Sequence, residues 1–512
     1  MHSTSTRLRL CSCILAAVVV LGACSGGGSN KSTAQATDAT SPASSGNTDT
    51  SSDFTDGNVT VGQKKFGPND DDKIIKTALD DVTKFWVDQF PKLYPGETYV
   101  PLSGGEFPYG PANPPPACGG TGKANYNDVA QNAFYCPPGD FVAWDTDNLT
   151  NKLLDEFGPF TLAIVVAHEM GHKVQGDHKI LDGRFITFLT EQQADCFAGA
   201  WTKHAIDGGS DKFKVQLADL DNALGGFLQI RDPIGTDSIR DESAHGSAFQ
   251  RINAFEDGLK DGAARCKAYE DGTINFVPEV FEQGSLDQAT QGNLPFPEVE
   301  PLVTANLEGF WTRAFQDINK TWTKATTNPF DPARGVRCGN KSAQGDAAVG
   351  IAFYCQPDDT LNWDDVLLMP AVHDQIGDLA QSILIANLFS ERAQQLAGLS
   401  TGTLDASLQA DCFTGAWVGT TATNEINKLL PDSAVLTLSP GDLDEAVSAF
   451  IQFGDKASDV QSGQSSGGTA FQHLDAFRSG FFKSFNEGFN ASLTACVAGG
   501  GADAASSSSS SS

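Results

Sequence analysis

An internal repeat constrains the fold of this chain more than any other feature of the sequence. Three runs recur in the same order: Phe-Tyr-Cys at residues 134–136 and 353–355, Gln-Ala-Asp-Cys-Phe at 193–197 and 409–413, and Ala-Phe-Gln at 248–250 and 470–472. Each copy is about 200 residues long, far longer than the unit of a solenoid. We therefore expect two homologous domains in tandem, each large enough to bury a core.

The N-terminus has the pattern of an export signal. Two arginines precede an apolar run at residues 14–21, which is short for a membrane span. The run ends in Leu-Gly-Ala-Cys, which resembles a bacterial lipobox and predicts removal of residues 1–23 and a lipid on Cys24. Ordinary signal-peptidase cleavage beside an incidental cysteine is the alternative. We expect an extracytoplasmic protein anchored to the bacterial cell membrane through Cys24.

The other boundaries follow from local composition. Residues 24–67 are rich in Ser, Thr, Gly and Ala and lack the apolar residues that a core requires, so they predict a flexible tether. The two domains are assigned to residues 68–294 and 302–500. The prolines between them predict an extended connector at residues 295–301. The tail at residues 501–512 predicts disorder.

The charge balance restricts the partners of the protein. The chain has 34 basic and 64 acidic residues, a formal net charge of −30. Such an acidic surface repels phosphate backbones, so we expect no nucleic-acid partner. The sequence carries no signal for the oligomeric state.

The cysteines follow the repeat. Eight remain when the leader and Cys24 are set aside, four in each copy, which in an exported protein indicates two disulfides per domain. Four cysteines allow three connectivities, and we favour Cys118 with Cys136 and Cys196 with Cys266 because the first pair is close in sequence. A cysteine zinc site is the alternative, disfavoured because no CxxC pair is present.

The strongest signal for chemistry is His-Glu-Met-Gly-His at residues 168–172. It follows an apolar run from Thr161 that contains no proline, so the segment predicts one buried helix. Positions i and i+4 lie on one helix face, so His168 and His172 can bind one cation while Glu169 reaches an attacking water. A helix with two surface histidines is the alternative, but the preceding apolar residues favour burial.

A catalytic zinc site needs a third protein ligand and one open position. Glu191 lies 19 residues after His172 and four residues before Asp195. On a second helix this spacing puts both carboxylates on one face, where Glu191 would ligate zinc and Asp195 would accept a hydrogen bond from a ligand imidazole. The alternatives are a solvated carboxylate for Glu191 and a purely structural role for Asp195, which recurs in the second copy.

These motifs resemble a known family. His-Glu-Met-Gly-His-Lys-Val-Gln at 168–175, Glu-Gln-Gln-Ala-Asp-Cys-Phe-Ala-Gly-Ala-Trp at 191–201, His-Gly-Ser at 245–247 and the Gln-Arg pair that follows resemble the bacterial family described as "putative neutral zinc metallopeptidase". The Glu-x-x-x-Asp spacing is similar to that of the wider gluzincin group. The resemblance covers about residues 75–270 and implies zinc ligation by His168, His172 and Glu191, with Glu169 catalytic. Lys173 departs from the family pattern, outside the ligand set.

The second copy provides an internal comparison. Aligning the repeats places Asn387 opposite His168, Leu388 opposite Glu169, Glu391 opposite His172, Ser407 opposite Glu191 and Gly467 opposite His245. The three predicted ligands and the predicted base are therefore lost together. Because His245 disappears with them, we weigh two roles for it: a donor to the oxyanion of the reaction, and a surface histidine without function.

The sequence thus predicts two α+β, zincin-like, mainly helical domains. The first is predicted to be a zinc metallopeptidase that acts on a peptide or protein, with Zn²⁺ as cofactor and Glu169 as general base, and the second a degenerate copy. Two alternatives stay open: a catalytically silent, lipid-anchored binding or scaffold protein, and a zinc-dependent hydrolase of cell-wall peptides. Residues 132–135 predict an edge strand that pairs with an extended peptide, but we favour core packing for its aromatic side chains because they recur.

Overall fold

The computed structural model describes residues 69–499, apart from residues 182, 184, 273, 282–288, 455–457, 460–463 and 466. The predicted leader, the lipid anchor at Cys24, the tether and the tail lie outside the described residues. Among the helices that are described, none is long and apolar enough to cross a membrane.

The described chain mixes α and β structure and is mainly helical, as predicted. The first copy contains α1 (Asp70–Leu93), β1 (Gly105–Tyr109), α2 (Tyr126–Val129), β2 (Ala133–Cys136), β3 (Phe141–Asp145), α3 (Asn151–Asp177), α4 (Thr187–Ile206), α5 (Leu217–Gln229), α6 (Ala248–Asp261) and α7 (Ala263–Lys267). The second copy contains α8 (Phe296–Asp317), β4 (Thr326–Phe330), β5 (Val336–Cys338), β6 (Lys341–Ala343), β7 (Ala352–Cys355), β8 (Thr360–Asp364), α9 (Leu368–Gln375), α10 (Asp378–Ala397), α11 (Leu404–Ala422), α12 (Asp442–Phe453), β9 (Ser458–Asp459), β10 (Gln464–Ser465), α13 (Ala470–Glu487) and α14 (Phe489–Val497).

Each copy contains a three-stranded sheet of the same topology. In the first copy β3 is central, parallel to β1 and antiparallel to β2. In the second copy β8 is central, parallel to β4 and antiparallel to β7. The strands β2 and β7 each have one neighbour in their sheet, so each presents a free edge. In the second copy the short β5–β6 hairpin contains Cys338, and in the first copy an antiparallel bridge between Pro116 and Lys123 flanks Cys118.

The predicted buried helix forms the second part of α3. Gly158 interrupts α3 with a φ of 80°, which glycine adopts without steric cost, and Pro159 begins the apolar segment. In the second copy the equivalent break separates α9 from α10 at Gly377, which has a φ of 147°. The break frees the apolar segment to pack at its own angle from the preceding turn.

Helices α4 and α6 touch through glycines. A Cβ atom on Gly199 would lie 1.8 Å from a backbone oxygen of α6, and one on Gly258 would lie 1.8 Å from a backbone oxygen of α4. Gly415 and Gly480 make the same crossing between α11 and α13, where a Cβ would lie 1.9 Å from the facing oxygen. No side chain fits between these backbones, so glycine determines how closely the helices approach.

The favoured disulfide pairing is confirmed. The bonds are Cys118–Cys136, Cys196–Cys266, Cys338–Cys355 and Cys412–Cys496. In both copies one bond secures the edge strand of the sheet, and the other joins α4 to α7 in the first copy and α11 to α14 in the second.

The prediction of an extended connector at residues 295–301 is wrong. Helix α8 begins at Phe296 and runs through Pro297 and Pro301. Pro297 lies in the first turn, where backbone N–H groups have no partner within the helix and a fixed φ favours the helical conformation. Pro301 lies one turn further on and removes a single helical hydrogen bond. The clustered prolines therefore mark the start of a helix.

The two copies share one continuous apolar core. Phe249 of α6 stacks on Phe482 of α13, with ring centres 5.6 Å apart. Asp444 of the second copy accepts a hydrogen bond from the backbone N–H of Phe249, and Asp221 of the first copy accepts one from the N–H of Phe471. The two aspartates are equivalent in the repeat, so these reciprocal contacts indicate an approximate two-fold relation between the copies.

A buried ion pair spans the same interface and predicts a large effect on stability. Arg478 of α13 pairs with Glu256 of α6, which is fully buried. Arg478→Ala would leave that carboxyl group buried without its guanidinium partner, so we expect the free energy of unfolding to fall by about 3–5 kcal/mol in chemical denaturation. Lys483→Ala on the same helix breaks an exposed pair with Glu487 and should cost at most about 1 kcal/mol. Equal losses in the two variants would contradict this account.

Candidate metal centre

The two predicted histidine ligands and Glu191 meet where α3 packs against α4. The Nε2 atoms of His168 and His172 lie 3.1 Å apart. Glu191 Oε2 is 3.2 Å from Nε2 of His168, and its Oε1 is 3.3 Å from Nε2 of His172. Ligands about 2.0–2.1 Å from a tetrahedral zinc ion lie about 3.3 Å from one another. The donor atoms of this cluster therefore fit zinc.

Gly171 allows the two helices to approach closely enough for this cluster. A Cβ atom at this position would lie 3.0 Å from the Cα of Ala194 and 3.2 Å from its Cβ. Ala194 lies one turn beyond Glu191 in α4, so a larger residue at position 171 would push the third ligand away from the histidines. In the second copy Ser390 stands opposite Gly171.

Hydrogen bonds on the far side of each imidazole fix its orientation. His168 Nδ1 lies 2.8 Å from Asp195 Oδ1, and His172 Nδ1 lies 2.8 Å from Gln175 Oε1. Both partners are acceptors, so each Nδ1 carries a hydrogen, and each Nε2 is the ring nitrogen that faces the cluster. Gln175 is held in turn, because its Nε2 donates to the Thr190 carbonyl oxygen at 2.7 Å.

Arg251 of α6 holds Asp195 in place, a role that was not predicted from the sequence. Its Nε and Nη2 atoms both donate to Asp195 at 2.9 Å, and its Nη1 donates to the Ile230 carbonyl oxygen at 3.0 Å. Arg251 and Asp195 are both buried. A bidentate guanidinium compensates the buried carboxylate, which can then hold His168. The only feature of the sequence that pointed to Arg251 was the Gln-Arg pair at residues 250–251, which is part of the resemblance to the family.

Burial and charge oppose one another at the centre. Burial lowers the pKa of His168, but the charges of Asp195 and Glu191 outweigh burial and raise it to about 10. Burial raises the pKa of Glu191, yet the two imidazoles bring it well below its usual value. Protons and a metal cation are therefore expected to compete for these imidazoles.

Glu169 borders a cleft with a volume of about 340 Å³. Its Oε2 accepts a hydrogen bond from the backbone N–H of Tyr135 at 2.8 Å, which orients the carboxylate. Burial raises the pKa of Glu169, in the direction that favours uptake of a proton. Ala133 also lines the cleft, so the free edge of β2 runs along it.

The predicted edge strand at residues 132–135 is present as β2, which among the described strands pairs only with β3. The Phe134 ring packs 6.0 Å from the ring of Phe141 in a small core. The Tyr135 hydroxyl donates to Asp140 at 3.0 Å. The aromatic side chains of β2 therefore pack within the protein, as we expected from their recurrence in the second copy. The free backbone edge of the strand borders the cleft.

His245 lies at the rim of the same cleft. Its Nε2 is 3.7 Å from Glu191 Oε2, and its side chain is 42% exposed. The loop that carries it is secured by the backbone N–H of His245, which donates to Asp232 at 2.7 Å. This position is close to the ligands and outside the ligand set, as a donor to the oxyanion requires; the role itself stays a prediction.

The second copy keeps the framework without the ligands. Asp411 accepts a hydrogen bond from Nδ2 of Asn387 at 2.7 Å and lies 2.6 Å from Nδ1 of His473. These two partners stand at the positions of His168 and Arg251. The polar contacts that join the three helices persist, while among the described residues Asn387, Glu391 and Ser407 form no group of metal ligands like the one in the first copy.

Comparison with known proteins agrees with the metal-binding cluster and with the repeat. A family model described as "Putative neutral zinc metallopeptidase" matches residues 68–269 and again residues 275–496. Uncharacterized protein Rv2575 of Mycobacterium tuberculosis is 32% identical over 153 residues, which cover 25% of this chain and 52% of that protein. Uncharacterized protein YpfJ of Escherichia coli (strain K12) is 29% identical over 165 residues, 27% of this chain and 53% of that protein. The chain thus spans about half the length of the curated relatives it matches.

No solved structure gives a significant match. The two family matches follow one another and together cover most of the sequence. They coincide with the two copies that the repeat defines, and the first of them contains the whole histidine and glutamate cluster. The chain belongs to the family described as "Putative neutral zinc metallopeptidase", and it contains the domain of that family twice.

Proposed function

We propose that the first copy hydrolyses peptide bonds with the help of a zinc ion and that the second copy is catalytically silent. The observation that carries this proposal is the cluster of two imidazole nitrogens and one carboxylate, spaced as the ligands of a tetrahedral ion are. The cleft beside it and the buried Glu169 at its edge support a catalytic site rather than a closed structural one.

The residues of the site have different roles in the proposed reaction. His168, His172 and Glu191 would hold the ion, and zinc would supply a Lewis acid for the scissile carbonyl and lower the pKa of water. Glu169, oriented by the Tyr135 amide, would take a proton from the attacking water and pass it to the leaving amine. His245 would donate a hydrogen bond to the oxyanion as the carbonyl carbon becomes tetrahedral.

The free edge of β2 supports a peptide as the substrate. One side of this strand is hydrogen-bonded to β3, and the other side borders the cleft next to Glu169. An extended peptide can add to such an edge through its own backbone groups. The scissile bond of a peptide bound in this way would lie beside the metal ligands.

We also propose that the protein works outside the cytoplasm, anchored to the bacterial cell membrane by a lipid on Cys24. The apolar run followed by Leu-Gly-Ala-Cys supports this location, and so do the four disulfides, which form in oxidising compartments. The expected substrates are therefore extracytoplasmic peptides or proteins.

Metal analysis tests the zinc site. Purified protein should contain about one zinc ion per chain, because the first copy has the three ligands. His168→Ala should lose the zinc, whereas Asn387→Ala, the matched change in the second copy, should retain it. Zinc-free wild-type protein after reconstitution, or equal zinc loss in both variants, would refute the proposed function.

Replacing the proposed base separates binding from chemistry. Glu169→Gln keeps the shape of the side chain but removes its basic group, so turnover of a peptide library should fall by about 10²–10⁴-fold while the zinc content stays unchanged. Glu156→Gln, which alters another carboxylate of the cleft lining, is the control and should retain turnover. Full activity in Glu169→Gln would remove Glu169 from its proposed role.

Fractionation of bacterial cells tests the anchor. Cys24→Ser removes the sulfur to which the lipid would be attached, so the protein should leave the membrane fraction for the soluble extracytoplasmic fraction. Mass spectrometry of the N-terminal peptide should show the lipid in the wild type alone. An unchanged membrane association of the variant would argue against a lipid anchor at this cysteine.

A further inference from the structure

A second group of acidic side chains lies in the second copy, apart from the histidine cluster. Asp378 begins α10, and Asp442 and Glu445 lie in the first turn of α12. One carboxylate oxygen from each comes within 4.8 Å of the others. The three residues are only 6%, 4% and 8% exposed.

Backbone N–H groups hold one oxygen of each of these carboxylates. Leu294 donates to Asp378 Oδ2 at 3.2 Å, Ser439 donates to Asp442 Oδ2 at 2.7 Å, and Leu379 donates to Glu445 Oε2 at 2.8 Å. These bonds and the two helix N-termini orient the carboxylates and offset part of the cost of burying them.

The second oxygens of both aspartates have no such partner. Asp378 Oδ1 and Asp442 Oδ1 are buried from solvent and accept no hydrogen bond. Among the described residues, no lysine or arginine forms an ion pair with the three carboxylates, whereas the buried Asp195 is paired with Arg251. Buried oxygens without partners are unfavourable, so the cluster needs a cation or protons to neutralise it.

The surroundings add negative charge. Burial, and next the charge of Asp378, raise the pKa values of Asp442 and Glu445 well above their usual range. Glu279 raises the pKa of Asp442 further. Nearby Asp444 has its own partner, Arg231, at 3.3 Å. The imidazole of His373, whose charge opposes the effect of burial on the pKa of Asp378, is hydrogen-bonded through Nε2 to the Leu294 carbonyl oxygen at 2.8 Å.

We propose that Asp378, Asp442 and Glu445 bind one calcium ion. The donors are all carboxylate oxygens, which hard cations prefer to the nitrogen or sulfur ligands of transition metals. Oxygens about 2.4 Å from one calcium ion lie at most about 4.8 Å apart, as these do. Magnesium demands stricter octahedral geometry and retains several waters, so a buried cluster of oriented carboxylates favours calcium.

The calcium site would secure the joint between the two copies. The segment just before α8 reaches the cluster through Leu294 and through Asn293, whose Oδ1 accepts a hydrogen bond from the Asp378 N–H at 3.0 Å. Helix α12, which supplies two of the ligands, also carries Asp444, and Asp444 caps α6 of the first copy. An ion at this joint would therefore stabilise the position of α12, whose Asp444 caps α6, the helix that carries Arg251.

The first copy supplies a matched control for this site. Asp219 stands at the position of Asp442 and accepts the same capping hydrogen bond, from the Gln216 N–H at 2.7 Å. Its two companions are absent, since Asn222 replaces Glu445 and Pro159 replaces Asp378. Asp219→Asn therefore removes the negative charge of an equivalent capping carboxylate without touching the proposed calcium ligands.

Calorimetric titration of the zinc-loaded full-length protein with calcium chloride tests the proposal. We expect one calcium site per chain and a rise in Tm of about 3–5 °C at a calcium concentration about 100 times the Kd. Asp378→Asn and Glu445→Gln should abolish both the heat of binding and the shift. Asp219→Asn and His168→Ala should keep both, which separates this site from a helix cap and from the zinc ligands.

The opposite results would overturn the proposal. They are a wild-type protein without calcium-dependent heat or Tm shift, and a Glu445→Gln variant that binds calcium as the wild type does. In that case protons neutralise the carboxyl groups, and wild-type stability should rise as the pH is lowered, since the folded state holds more protons than the unfolded state. If the variants fail to fold, the wild-type titration still decides the question.

Discussion

A buried aspartate joins three helices in each copy, and the rest of the candidate site depends on it. Asp195 of α4 binds the imidazole of His168 on α3 and the guanidinium of Arg251 on α6. A carboxylate in a protein interior is costly unless it is paired and hydrogen-bonded, so these two partners contribute to the stability of the fold. The network that orients a metal ligand therefore also supports the packing of the three helices.

The second copy separates the fold from the chemistry. Asp411 joins the same three helices, but its partners are the amide of Asn387 and the imidazole of His473. The sheet topology, the disulfides and the glycine crossing of α11 and α13 are all retained. An amide can donate to the aspartate as the imidazole of His168 does, so the ligand nitrogen can be lost without loss of the framework.

The two copies do not form independent halves. The backbone N–H of Phe249, near the start of α6, is satisfied by Asp444 from the other copy, and Arg251 follows two residues later. The Phe249 ring packs on α13 across the shared core. The helix that supports the metal centre thus begins on a contact with the second copy, which gives that copy a physical role in positioning the site.

The sequence by itself determined the features that depend on local spacing and on covalent chemistry. The repeat predicted two domains, the apolar run predicted the helix of His168 and His172, the spacing placed Glu191 and Asp195 on a second helix, and the cysteine count predicted two disulfides per copy. Only the tertiary structure decided which distant groups meet. Arg251 lies 56 residues from Asp195, and the amide that orients Glu169 lies 34 residues before it. Helix packing across a glycine crossing and the edge of a sheet bring these groups together, and neither leaves a periodic pattern in the sequence. The clustered prolines at residues 295–301 predicted a connector where a helix begins, because proline fits the first turn of a helix as well as it stiffens a connector.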